Sequence, residues 1–92
     1  MKYEIQRTAQ FKKDYKLAVK RGCDVSKLQK IIAMLADGET LPEENRDHNL
    51  LGKRYAGYRE CHIEPDWLLV YKITESVLVL SLYRTGSHSD LF

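Results

Sequence analysis

The chain has 92 residues, 43% hydrophobic and 30% charged, which suits one globular domain over residues 1–92 and excludes a second core or a disordered chain. No apolar run nears the ~20 residues of a membrane span or forms a leader after Met1, and Cys23 and Cys61 fit neither a disulfide framework nor a zinc knuckle; a cytoplasmic chain with reduced thiols and no membrane partner is expected. The net charge of +2 hides nine Lys/Arg against three Asp/Glu in residues 1–31 and six against ten in residues 32–92, an imbalance that fits a polyanionic partner or a solubilising helix surface.

Tyr3–Arg7 alternates and predicts a short strand. Thr8 can cap a helix running to about Arg21, with Phe11, Tyr15 and Ala18 at helical spacing on one face. Lys12, Lys13, Lys16 and Lys20 fall mostly on the other. Gly22 supplies a stop, and Asp24 or Ser26 caps a second helix in which Leu28, Ile31, Ile32 and Leu35 repeat until Asp37-Gly38. So short a link predicts an antiparallel helical hairpin.

From Glu39 to about Tyr55 the chain is polar and holds Pro42, Asn45, Asn49 and Gly52, which predicts a loop. Loops of that length in small domains are usually functional or mobile. Three strands are expected next, at about Tyr58–Ile63, Trp67–Ile73 and Val77–Tyr83, turned at Glu64-Pro65-Asp66 and Thr74-Glu75-Ser76. The order β-α-α-β-β-β predicts an α+β fold, its hairpin of helices covering one face of a largely antiparallel three-stranded meander.

Alternation puts Arg59, Cys61 and Ile63 on one face and Tyr58, Glu60 and His62 on the other. The helices should cover Cys61 and Ile63, which leaves His62 on the open side. Arg84 fits less well, because strict alternation groups it with Leu78, Leu80 and Leu82. Either the last strand ends at Tyr83 or a bulge turns Arg84 to the open face.

The last ten residues carry chemistry that a packed end does not require. Arg84 can bind phosphate through a planar fork, His88 can move a proton near neutral pH, and Phe92 can stack on a base. His48 in the long loop and His62 at a strand end also fall outside the predicted core. Two histidines suffice for RNA cleavage without metal, one removing the ribose 2′-hydroxyl proton and one protonating the departing 5′-oxygen. Asp66 can orient a neighbouring histidine as the carboxylate of a triad does. Arg84 can offset charge on the phosphorane. The histidines form no short ligand pair and the cysteines no C-x-x-C, so no metal and no cofactor is expected.

Asp47-His48-Asn49-Leu50, Gly57-Tyr58-Arg59, His62 through Lys72 and Arg84-Thr85-Gly86-Ser87-His88-Ser89-Asp90-Leu91-Phe92 resemble the bacterial RelE/ParE toxin superfamily, most of all its YafQ branch. The similarity covers essentially the whole chain. It implies a RelE-like fold and the toxin of a type II toxin–antitoxin module. It further implies a ribosome-dependent endoribonuclease that cuts translated mRNA in the A site and so inhibits translation. The implied partners are a cognate antitoxin, the 70S ribosome, mRNA and, through the antitoxin, operator DNA. His48, His62, Asp66, Arg84, His88 and Phe92 match the branch's functional positions, with Lys12, Lys13, Lys16 and Lys20 expected on ribosomal RNA. The rival is a ParE-like toxin that shares the fold, cuts no RNA and binds DNA gyrase. It has no need of a histidine cluster on the open face.

Overall fold

Thr8 ends a strand and starts a helix at once. In the computed structural model, which describes residues 1–92, β1 (Glu4–Arg7) gives way at this residue to α1 (Ala9–Lys20). The Thr8 hydroxyl accepts the Phe11 N–H as an N-cap and donates to the Tyr83 carbonyl at 2.8 Å. Asp24 caps α2 (Val25–Ala36) by accepting the Ser26 N–H, which decides between the two expected caps. Gln29 of α2 donates to the Tyr15 hydroxyl of α1 at 2.9 Å, tying the hairpin together.

The apolar stripes of both helices meet one face of the sheet, as expected. Phe11, Leu28, Ile32 and Leu35 pack with Cys61, Leu69, Tyr71, Leu80 and Leu82 in a single core. Burying each large side chain contributes roughly 1.5–3 kcal/mol, so this layer dominates stability. Burial also pushes the Cys61 thiol up to about 12, leaving it inert at neutral pH.

The expected loop from Glu39 to Tyr55 is more ordered than a loop. It contains 3₁₀ turns at Glu43–Asn45 and Lys53–Tyr55 and a two-residue strand, β2 (His48–Asn49). β3 (Arg59–Glu64), β4 (Trp67–Thr74) and β5 (Val79–Gly86) form the antiparallel meander. The sheet therefore has five strands in the order β1-β5-β4-β3-β2, with β1 parallel to β5.

The last strand starts two residues later than expected and runs three further. Val77 is 63% exposed and Leu78 adopts φ 52° in the turn, a left-handed conformation that L side chains rarely take. The facing of Arg84 is settled by a bulge. Val70 pairs with Arg84 and Tyr71 with Leu82, so Tyr83 is an extra residue that reverses the alternation. Arg84 leaves the core row for the open face, and Thr85 turns inward at 2% exposure.

Candidate active site

Alternation along β2 aims His48. On one side of this strand Asp47 accepts hydrogen bonds from the Tyr71 hydroxyl and from Arg59 Nε, and Arg59 Nη1 donates to Asn49 at 2.7 Å. Desolvation, then the hydrogen bond to Asp47, push the Tyr71 phenol well up, so it stays a donor. With that side fixed, His48 projects to the other and stands opposite Glu60 of β3.

Glu60 is the organising group of the open face. It is 5% exposed, and its Oε1 lies 3.5 Å from His48 Nε2 and 3.7 Å from His62 Nε2. Each ring presents Nε2 because Nδ1 is occupied: His48 Nδ1 lies 2.6 Å from the Arg46 carbonyl and His62 Nδ1 3.2 Å from the Pro65 carbonyl. A carbonyl only accepts, so Nδ1 carries the proton on each ring. A buried carboxylate is costly without a cation or donor nearby, and the two Nε2 atoms are the side-chain groups within ion-pair reach of it. Leu68 and Val70, at 0% and 2% exposure, floor the site beside it.

His88 arrives from the opposite side. It opens α3 (His88–Leu91), a single turn closed by a reciprocal cap in which Ser87 accepts the Asp90 N–H and Asp90 accepts the Ser87 N–H. Gly86 permits this, since a Cβ there would come within 3.0 Å of Asp90. Arg21, just past α1, bonds Asp90 at 2.8 Å and holds its carboxyl at about 2, with the Ser87 N–H helping. Asp66 Oδ1 accepts the His88 N–H at 3.1 Å and lies 3.2 Å from His88 Nδ1. Those bonds keep the Asp66 carboxyl below its ordinary range.

The rings then form a row. Centroids are 6.3 Å apart for His48 and His62, 5.8 Å for His62 and His88, and 6.4 Å for His88 and Phe92. Tyr55 meets Phe92 edge-on at 5.9 Å and extends the row. Phe92 remains 59% exposed, so a base can stack on it. Such a row can take a proton at one position and return one at another. His48, His62, Asp66, His88 and Phe92 thus converge.

Arg84 and the lysines do not join the row. Arg84 shares the cross-strand line of Val70 and Glu60, but its guanidinium turns to α1, where Nε and Nη2 donate to Asp14 at 3.0 and 3.1 Å. That pair raises the guanidinium further above its usual range, and Asp14 also accepts the Thr85 N–H. Nη1 is left without a protein partner. Lys12, Lys13, Lys16 and Lys20 are all exposed on α1.

Glu60, Tyr55 and Asp14 were not singled out from the sequence. For Glu60 a signal existed, since alternation placed it on the face of His62. No three His, Cys, Asp or Glu side chains converge as a ligand set for an ion.

A family model described as the bacterial toxin of a type II toxin–antitoxin system, YafQ, matches residues 3–92. The mRNA interferase toxin YafQ of Escherichia coli K12 is 42% identical over 90 residues, covering 97% of this chain and 95% of that protein. The crystal structure of the E. coli DinJ–YafQ complex superposes with a TM-score of 0.90 at 42% identity, over 98% of both chains. A metal-bound toxin from Helicobacter pylori gives a TM-score of 0.90 at 42% identity, over 98% of this chain and 99% of that one.

Proposed function

The chain belongs to the YafQ family of toxins from bacterial type II toxin–antitoxin systems, and from that premise we propose a ribosome-dependent endoribonuclease that cuts mRNA in the A site. The observation that carries the chemistry is the pair His62 and His88, 5.8 Å apart, each backed by its own carboxylate. Asp66 fixes His88 through Nδ1 and leaves Nε2 to remove the 2′-hydroxyl proton. The 2′-oxygen attacks its own phosphorus, and the bond to the 5′-oxygen breaks. His62, its Nε2 beside the Glu60 carboxylate, serves as the general acid and gives a proton to that leaving oxygen. The products are a 2′,3′-cyclic phosphate and a 5′-hydroxyl. Arg84 Nη1 faces charge developing on the phosphorane, and Phe92 stacks one base.

Lys12, Lys13, Lys16 and Lys20 extend the reading to the ribosome, because a row of exposed cations on one helix suits an RNA surface. The same helix serves the antitoxin. A groove of about 590 Å³ between α1, α2 and β1 has Ile5, Phe11 and Ile32 in its wall and Arg7, Lys12 and Lys16 at its rim. An acidic, amphipathic antitoxin segment fits there and would mask the ribosome-binding lysines without touching His88. DNA gyrase as a target leaves the imidazole row without use.

The reaction needs no metal in this scheme, and the metal-bound relative makes that worth testing. Purified toxin is added to programmed ribosomes and to naked message, and the message ends are mapped with and without a chelator that spares ribosomal magnesium. Cleavage on ribosomes with 5′-hydroxyl ends, indifferent to chelator, is expected. Ends bearing a 3′-hydroxyl, or equal cleavage of naked RNA, would overturn the mechanism or the ribosome dependence respectively.

A further inference from the structure

β2 covers only Arg59 and Glu60, so the edge of β3 from His62 to Glu64 has no strand beside it. A pocket of about 490 Å³ opens there, between α2 and the 3₁₀ turn at Glu43–Asn45. That volume falls within the roughly 300–1,000 Å³ of small-ligand sites. His62 forms part of its wall, so the pocket begins where the proposed catalytic row ends.

Asn45 is the unusual group in this pocket. It is 8% exposed, and its Nδ2 donates to the His62 carbonyl at 2.7 Å. Because that partner is a carbonyl, the amide nitrogen must face it and the amide oxygen must face away. Oδ1 receives no hydrogen bond from the protein, yet Asn45 lines the pocket. The bond fixes the amide's orientation, and because no buried side-chain polar atom lacks a partner, Oδ1 is reached by solvent and open to a donor on a ligand.

The rest of the lining is apolar, cationic and acidic in turn. Ile31, Met34 and Ile63 supply apolar surface, and Lys30 and Arg46 are exposed cations. Glu64 is offset by Lys27 at 3.5 Å, and Glu44 is the other carboxylate. A mixed slot with an apolar wall, one fixed amide, and exposed cations that outnumber its two carboxylates matches a nucleotide, the base against the apolar wall and the phosphate on the cations. Arg46 also ties the pocket to catalysis, since its carbonyl holds His48 Nδ1.

We propose that this pocket is a nucleobase subsite for the residue flanking the cleaved bond, that Asn45 reads the base, and that Lys30 and Arg46 hold its phosphate. The proposal rests on RNA cleavage at the neighbouring row. A fixed amide distinguishes bases by their donor and acceptor pattern, so the subsite makes cleavage depend on sequence. Phosphate contacts position the strand and carry no sequence preference.

The test measures kcat/KM on programmed ribosomes for messages in which each base of the A-site codon and its neighbours is varied in turn. The unaltered chain is expected to prefer one base at one position. Asn45→Ala should shrink that preference roughly tenfold, whereas Lys30→Gln should weaken every message alike and flatten the salt dependence. Met34→Phe narrows the pocket while leaving the Asn45–His62 bond intact, and it should shrink the same preference if Asn45→Ala does not fold. A base preference unchanged in folded Asn45→Ala and in Met34→Phe overturns the subsite. So does loss of antitoxin binding with the preference unchanged, which assigns the pocket to the protein partner. Absence of cleavage on every message by the unaltered chain defeats the nuclease reading itself.

Discussion

Asp66 grips His88 twice, at the backbone N–H at 3.1 Å and at the ring Nδ1 at 3.2 Å. The two contacts fix both where the imidazole begins and how it is turned, leaving Nε2 as the free nitrogen. His88→Ala should therefore reduce single-turnover cleavage on programmed ribosomes by about 10²–10⁴-fold. The fold should hold, because a surface substitution usually costs within about 0.5 kcal/mol. Full toxicity of the folded variant would reduce His88 to a surface residue.

Acid and base can be told apart by the leaving group. A message with sulfur in place of the 5′-oxygen at the cut site departs as a thiolate and needs little protonation. His62→Ala should lose most of its defect on that message, while His88→Ala should keep its own. The opposite pattern would exchange the two roles. Glu60→Gln should behave as His62→Ala does, with a loss of about tenfold or more on the normal message, since the carboxylate beside the donating ring is gone.

Arg84 has two possible employments, and Asp14 separates them. Removing Arg84 leaves a carboxylate that is 7% exposed with one fewer partner. Breaking a buried pair costs about 3–5 kcal/mol, but Arg84 itself is 28% exposed, so a loss of about 1–3 kcal/mol is expected on chemical denaturation of Arg84→Ala. Asp14→Asn frees the guanidinium instead. If Arg84 acts on the phosphate, Asp14→Asn should retain cleavage despite lower stability. Equal loss of cleavage in both variants would make Arg84 a strap and nothing more.

The ion pair between Arg21 and Asp90 sets the acid limit of the C-terminal turn. Asp90 titrates at about 2 when folded, against roughly 3.9 for an ordinary aspartate. A lowered folded value stabilises the turn fully above the unfolded value and is lost as pH falls through the folded one. In Arg21→Gln the Asp90 carboxyl should rise toward the ordinary range and α3 should loosen at higher pH. Amide signals of His88 and Phe92 followed by NMR from pH 6 downward would report it; an unchanged profile would show that the ion pair does not hold the turn.

The elements with strong periodicity were legible in the sequence: both helices, the Thr8 cap, a second cap narrowed to Asp24 or Ser26, and the face carrying His62. What escaped depended on neighbours in space. The two residues of β2 have no period to detect, and they form a strand only because Glu60 and Arg59 offer an edge. The extra residue at Tyr83 follows from the register against β4, so the facing of Arg84 had two readings until Val70 was seen opposite it. Glu60 looked like a solvent-facing residue because alternation gives the face and not the cover. His48, from a distant loop, supplies part of that cover.

The parallel pairing of β1 with β5 joins segments that lie far apart along the chain; the bond from Thr8 to Tyr83 spans 75 residues. Contacts of such long range are slow to form and come late in folding. β5 leads directly to His88, and α1 with its C-terminal cap supplies Asp14 and Arg21 to hold that region. The histidine row therefore leans on the N-terminal segment, and a single proteolytic nick that releases β1 with α1 is expected to loosen it although every histidine stays on the remaining fragment.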